Sequence, residues 1–244
     1  MATNPMHQFE VHRIGPEIKI AGIDLSFTNA SLFMLLSAVA ICAVLFLGTR
    51  EKKLIPGKFQ LVAEMFYNFI AKMINDTAGS KAKPYFPFIF CLFMFVLFCN
   101  MLGMLPYSFT VTSHIIVTLL MAIFVFIAVT VIGFLKHGFG YLKLFVPNGV
   151  PIILLPLITV IEIISYLSRP VSLSVRLFAN MMAGHTMLKV FGGFVVSLGA
   201  LGGWLPLGFS VALTGLEILV AFLQAYVFAI LTCIYLNDAL NLHH

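Results

Sequence analysis

The sequence predicts an all-α integral membrane protein with five to six membrane helices and one amphipathic helix at the interface. Hydrophobic residues make up 61% of the 244 positions and charged residues only 9%, with a mean hydropathy of +1.07. That is far from an ordinary globular composition. The apolar residues fall in runs long enough to cross a bilayer core, which takes roughly 20 helical residues. Basic residues cluster beside those runs, the pattern of a membrane protein's cytoplasmic loops. The net charge of +5 is therefore a poor argument for nucleic acid, and the chain reads as a single membrane domain.

Residues 1–30 carry three acids (Glu10, Glu17, Asp24) against two bases (Arg13, Lys19) and are assigned to the outside. Residues 31–48 form the first membrane helix, closed by Arg50-Glu51-Lys52-Lys53. Positive charge after the apolar run, not before it, marks a retained helix and not a cleaved signal. Residues 49–83 hold seven Lys/Arg against three acids, which puts them on the cytoplasmic or matrix side. Within them Phe59, Val62, Phe66, Phe69, Ile70 and Met73 recur at helical spacing, with Lys58, Glu64 and Lys72 between. That pattern predicts a helix lying at the interface.

Residues 84–244 contain the channel-forming helices. Pro84 to Leu105 is a second span and Ser113 to Leu135 a third, joined by the uncharged link Pro106 to Thr112. Lys136, His137 and Lys143 return the chain to the basic side, before a turn at Pro147-Asn148-Gly149-Val150-Pro151. From about Pro151 to Val196 the apolar sequence is too long for one perpendicular helix, so it must tilt, kink at Pro156 or Pro170, or double back. Gly192-Gly193, Gly199, Gly202-Gly203 and Pro206 predict a loop, with Trp204 as an interfacial anchor. Leu207 to Tyr235 is the last helix. One tilted crossing in the fourth segment gives five passes, with the N-terminus outside and the C-terminus inside; two crossings give six. Five is preferred, because Arg169 and Arg176 are hard to place at an ordinary loop.

Arg176 is the residue that most needs explaining. A charge at membrane depth is costly and is kept by default for function, and a guanidinium cannot deprotonate to escape. At about 100° per residue, Glu162, Arg169 and Arg176 share one face of their helix, with Asn180 beside them. His185 falls on the opposite side, so it must serve another contact or lie past a bend. On the last helix Ser210, Glu217 and Gln224 are also spaced by seven, and Tyr235 returns to nearly the same angle. Such lines of polar groups are what a proton or ion path through a membrane requires. A single polar residue is ordinarily interhelical glue, but two glutamates, an arginine, a histidine and a glutamine on adjacent helices exceed that explanation. Ser172, Ala179 and Ala183 beside Arg176, and Ala221, Ala225 and Ala229, offer smooth faces. A partner could slide along them, or they could simply pack within the chain. The four cysteines read as buried hydrophobes, and Lys189 as a snorkelling cation.

The run from Ser168 to His185, SRPVSLSVRLFANMMAGH, closely resembles the signature of subunit a of F-type ATP synthases. Cys99-Asn100-Met101-Leu102-Gly103-Met104-Leu105-Pro106 resembles the family's motif at the end of its second membrane helix, and Glu217…Gln224 matches its last helix. The resemblance covers essentially the whole chain. It implies a stator beside a rotating ring of c subunits, with peripheral-stalk b subunits and other ATP synthase subunits as further partners. It implies that the last two long helices are strongly tilted along the ring, and that Arg176 faces the ring carboxylate and separates two half-channels. Asn180, His185, Glu217 and Gln224 match the residues of the outer channel, and Glu162 that of the inner one. Ser172, Ser210, Tyr235 and Asn100 are supporting polar positions. Many bacterial members carry an acid at the His185 position and a histidine at the Glu217 position; the exchange here resembles mitochondrial and alphaproteobacterial members. The membrane implied is the bacterial cell inner membrane, with the mitochondrial inner membrane as the alternative.

No HxxH cluster occurs among the seven histidines, no nucleophile–base pair stands out, and there is no phosphate-binding glycine loop. Neither cofactor nor metal is expected, and ATP chemistry would reside in another subunit. The competing reading is a secondary transporter in which Arg176 binds an anionic substrate; against it, no second inverted repeat is found.

Overall fold

Among the described residues, five helices are long and apolar enough to cross a membrane. The structure, a computed structural model, describes residues 9–15, 19–20, 23–24, 26–50, 56–105, 108–145 and 154–241. Two of the expected features, the Glu51-Lys52-Lys53 end of the first basic cluster and the turn at 147–151, lie outside the described residues. In the N-terminal segment β1 (Lys19–Ile20) pairs antiparallel with β2 (Ile23–Asp24).

The first crossing is α1 (Asn29–Arg50). The expected amphipathic helix is α2 (Lys58–Ala78), and its two halves differ. Ile70 and Met73 are buried, while Phe59 and Val62 are exposed. The third helix, α3 (Phe86–Gly103), is led in by a 3₁₀ turn at Ser80–Tyr85, and α4 (Ile115–His137) by a shorter one at Val111–Ser113. A 3₁₀ stretch, Gly138–Phe145, follows α4.

The long apolar segment neither kinks at Pro170 nor doubles back early. It is α5 (Leu155–Gly202), unbroken until Gly199, where the backbone turns to φ 62° and ψ −160°. Positive φ is cheap only for a residue without a Cβ. The helix runs straight through Gly192-Gly193, so the predicted loop shrinks to the few residues from Gly199 to Gly203. There a Cβ on Gly203 would lie 2.6 Å from the Gly199 carbonyl oxygen. The last helix, α6 (Trp204–Leu240), begins at once. At about 1.5 Å per residue α5 exceeds twice the roughly 30 Å hydrocarbon thickness, so inclination is the only way it can stay within it.

The core lies where α6 packs against α3, α5 and α2. Ile89, Phe93 and Met94 of α3 meet Phe228, Cys233 and Leu236 of α6, with Leu177 and Met181 of α5 and Ile70 and Ile74 of α2. Ala221, Ala225 and Ala229 are fully buried, so the small stripe of α6 serves packing inside this chain. The stripe of α5 does not: Ser172, Ala179 and Ala183 are exposed. The cysteines divide likewise. Cys99 and Cys233 are buried, whereas Cys42 and Cys91 are exposed, lining an apolar groove between α1, α3 and α4. In lipid an outward apolar side chain is as well placed as a buried one, so sequence alone cannot separate the two.

Close approach is specified by glycine at Gly133, where a Cβ would overlap the Tyr141 ring, 2.8 Å from Cδ2. Tyr141 is 1% exposed, and its hydroxyl lies 3.0 Å from that of Tyr166 on α5. Gly133→Ala should therefore cost about 1–3 kcal/mol through overpacking, read as a lower melting temperature of the purified complex in detergent.

Candidate functional site: an ionisable pair between the last helices and a free guanidinium

The two faces of α5 do different things. His185 turns inward, and its Nδ1 is 3.3 Å from Oε1 of Glu217 on α6. Its Nε2 lies 2.9 Å from the Thr110 hydroxyl, which also donates to the Gly103 carbonyl at 3.1 Å. Gly184 makes the approach possible, since a Cβ there would sit 2.8 Å from Glu217 Oε1. The Glu217 side chain is only 4% exposed, yet neither carboxylate oxygen has an aligned donor among the described residues. The 3.3 Å approach is thus a charge-range contact, not a directed hydrogen bond. A carboxyl so enclosed and unsatisfied calls for water or a transferable proton.

Other unsatisfied groups lie on the elements around it. The Asn100 amide donates to the Ala221 carbonyl, one turn beyond Glu217, at 3.1 Å, while its Oδ1 is buried without a partner. Thr112 Oγ1 and His114 Nε2 are also buried and unpaired. His114 lies between α3 and α4 and stacks on Phe109 at 4.9 Å between ring centroids. Burial lowers its imidazole below the ordinary histidine range, favouring the neutral form.

Arg176 occupies the opposite face. It is exposed, and no hydrogen bond or ion pair ties it to any of the described residues. The exposed Ser172, Ala179 and Ala183 flank it. Arg169, two turns earlier, is held: its Nη1 donates to Asp238 Oδ2 at 3.0 Å. Its guanidinium also lies 4.8 Å from the Tyr235 ring centroid and 5.4 Å from that of Tyr166. The Tyr166 hydroxyl continues to Thr130 at 2.6 Å, tying α4 to α5. Asp238→Asn should lower the melting temperature only modestly, by about 1 kcal/mol or less, because the pair is partly solvated. In a double-mutant cycle R169Q/D238N should recover much of that loss.

The remaining expected residues are less committed. Glu162, Asn180 and Gln224 are half-buried and reach no partner among the described residues. Ser210 donates to the Pro206 carbonyl at 2.9 Å, as a lone helix serine often does. Ser172 is exposed and Tyr235 underlies Arg169. Three contributors went unnoticed in the sequence: Thr110, Gly184 and Asp238. Asp238 was within reach, since it continues the seven-residue step of Glu217 and Gln224 past Leu231. Thr110 offers no local signal.

The fold and site define a multi-pass α-helical membrane protein with an enclosed Glu–His pair between its two longest helices and an unpaired guanidinium on its outer face. The family model for the ATP synthase A chain matches residues 31–237. The chain belongs to that family. It is 77% identical over 244 residues to ATP synthase subunit a of Pelagibacter ubique, covering all of both chains. It is also 61% identical over 250 residues to the subunit of that name from Chelativorans sp., again covering all of both chains. To that from Rhizobium rhizogenes it is 62% identical over 247 residues, covering 99% of this chain and 98% of the other.

Proposed function

We propose that this chain is the proton-translocating stator subunit in the membrane sector of an F-type ATP synthase, without catalysis of its own. Its partners would be a ring of c subunits, peripheral-stalk b subunits and the other ATP synthase subunits, in the bacterial cell inner membrane. The N-terminus would lie outside and the C-terminus in the cytoplasm, with 49–83 on the cytoplasmic side. The observation that carries this reading is Arg176, exposed and unpaired on a face of small residues, while the chain's other cation on that stripe, Arg169, has its own carboxylate.

A carboxylate carried by a neighbouring rotor must be protonated to cross lipid, since a charge there costs at least about 2.5–3.5 kcal/mol. Opposite Arg176 it can ionise, because a nearby positive charge stabilises the anion. Protons arriving through His185 and Glu217, with Asn180 and Gln224 along the way, reload it. Protons released on the other side leave past Glu162. Arg176 also blocks a direct hop between the two paths, because it accepts no proton and repels a cationic neighbour. A potential of 100 mV supplies about 2.3 kcal/mol per proton, enough to bias the direction of rotation. The strongly inclined α5 and α6 would run along the ring.

The test is site-specific crosslinking of cysteines placed beside Arg176, at Ser172 or Ala179, to a helix of a copurifying small proteolipid. Crosslinks at these positions, and none from the buried Ala225, support the reading. Their absence in an intact, ATP-hydrolysing complex refutes it.

A further inference from the structure

A cavity of about 800 Å³ connects the N-terminal segment with His185. Its walls come from the N-terminal segment, α1, the turn after α3, α5 and α6. Among the described residues, the charged or titratable side chains that face it are Glu10 and His12 from the N-terminal segment, and His185 and Lys189 from α5. The other walls contribute Asn29 and several hydroxyls. The arrangement is graded. His185 has a side chain only 12% exposed, whereas those of His12 and Glu10 are 66% and 52% exposed. The exposed groups mark the mouth, and His185 marks the inner end beside Glu217.

The N-terminal segment is fastened at that mouth. Asn29 Oδ1 accepts the His12 backbone N–H at 3.2 Å, and its Nδ2 donates to the Glu10 carbonyl at 3.1 Å. The Asn29 backbone N–H donates to the His12 carbonyl at 3.0 Å, and that of Ile14 to Phe27 at 2.9 Å. This clip sets His12 Nε2 4.0 Å from Glu10 Oε2. A carboxylate and an imidazole can each take up and hand on a proton. A space of this size, lined by hydroxyls and charged groups, is roomy enough for several water molecules.

We propose that Glu10 and His12 are proton-collecting groups at the mouth of this cavity, passing protons inward to His185, and that Asn29 is the positioning residue that holds them there. The proposal rests on reading His185 and Glu217 as the inlet pair. Collecting groups matter most when free protons are scarce, because charged clefts raise capture rates by about tenfold or more.

The test uses the whole ATP synthase in proteoliposomes, driven to make ATP while the pH on the N-terminal side is varied at constant driving force. With E10Q/H12Q the rate is expected to fall about tenfold at about pH 8, where free protons are scarce, and by less than about twofold at about pH 6, where they are plentiful. Asn29→Ala should reproduce the alkaline loss with both titratable groups kept. Wild-type rates across the whole range, or a loss of equal size at every pH, would overturn the proposal. A second arm leaves Glu10 and His12 in place. Phe9→Cys, which lines the same cavity, is treated with a bulky membrane-impermeant thiol reagent from the N-terminal side. Blocked flux supports the path, and unimpeded flux on full labelling counts against it. Glu217→Gln in the same vesicles separates the two failures: normal flux there would sink the inlet reading itself.

Discussion

Arg176→Ala is expected to abolish ATP-driven proton pumping in membranes that still contain the assembled complex. The side chain is exposed and makes no hydrogen bond or ion pair with any of the described residues, so its removal leaves no such partner stranded. Assembly should be intact and the loss confined to coupling. Arg176→Lys should also be severely impaired, though it keeps a positive charge, because an ammonium can lose its proton and has no planar fork to match a carboxylate. Acidification measured with a fluorescent probe in inverted vesicles gives the answer, with copurification of the ring as the assembly control. Normal pumping by the alanine variant would remove the central element of the mechanism.

Glu217→Gln is expected to slow proton flux on the order of a hundredfold, the low end of what a positioned proton-transfer group contributes. The amide is nearly isosteric, and the carboxylate it replaces has no aligned donor within the chain, so packing and assembly should survive. Because His185 Nδ1 stands 3.3 Å from Glu217 Oε1, the exchange H185E/E217H should retain more flux than H185E or E217H alone. Each single change leaves two like groups facing each other; the exchange restores one acid and one base. Passive flux through vesicles stripped of the catalytic sector measures this directly. A Glu217→Gln chain missing from the membrane would assign the residue to structure instead.

Much of this was legible in the chain itself. Apolar run length left five or six crossings, the charges at Arg169 and Arg176 favoured five, and the inward turn of His185 away from Arg176 follows from their nine-residue separation. The seven-residue step put Glu162, Arg169 and Arg176 on one face. It could not tell that Arg169 is occupied, because the partner, Asp238, lies on another helix. The alanines show the same limit. Both stripes have helical spacing, but Ala221, Ala225 and Ala229 are buried against the chain's own core while Ala179 and Ala183 are left open. Small size permits close approach without naming what approaches. Glycine misled in a related way. Gly192-Gly193 looks like a break, yet in a helix fixed by its neighbours the propensity penalty of about 1 kcal/mol per glycine is readily outweighed, and only Gly199 turns the chain. Thr110 meets His185 across 75 positions, and no local pattern encodes that.

The unbroken course of α5 from Leu155 to Gly199 also limits how this stretch can change length. No loop within it can absorb an added or deleted residue. One insertion between Arg169 and Arg176 would rotate everything downstream by about 100°. The guanidinium would swing toward the side filled by Leu173 and Leu177, and the imidazole would leave the glutamate. Residue count along this rod is therefore as firm a requirement as any side chain upon it.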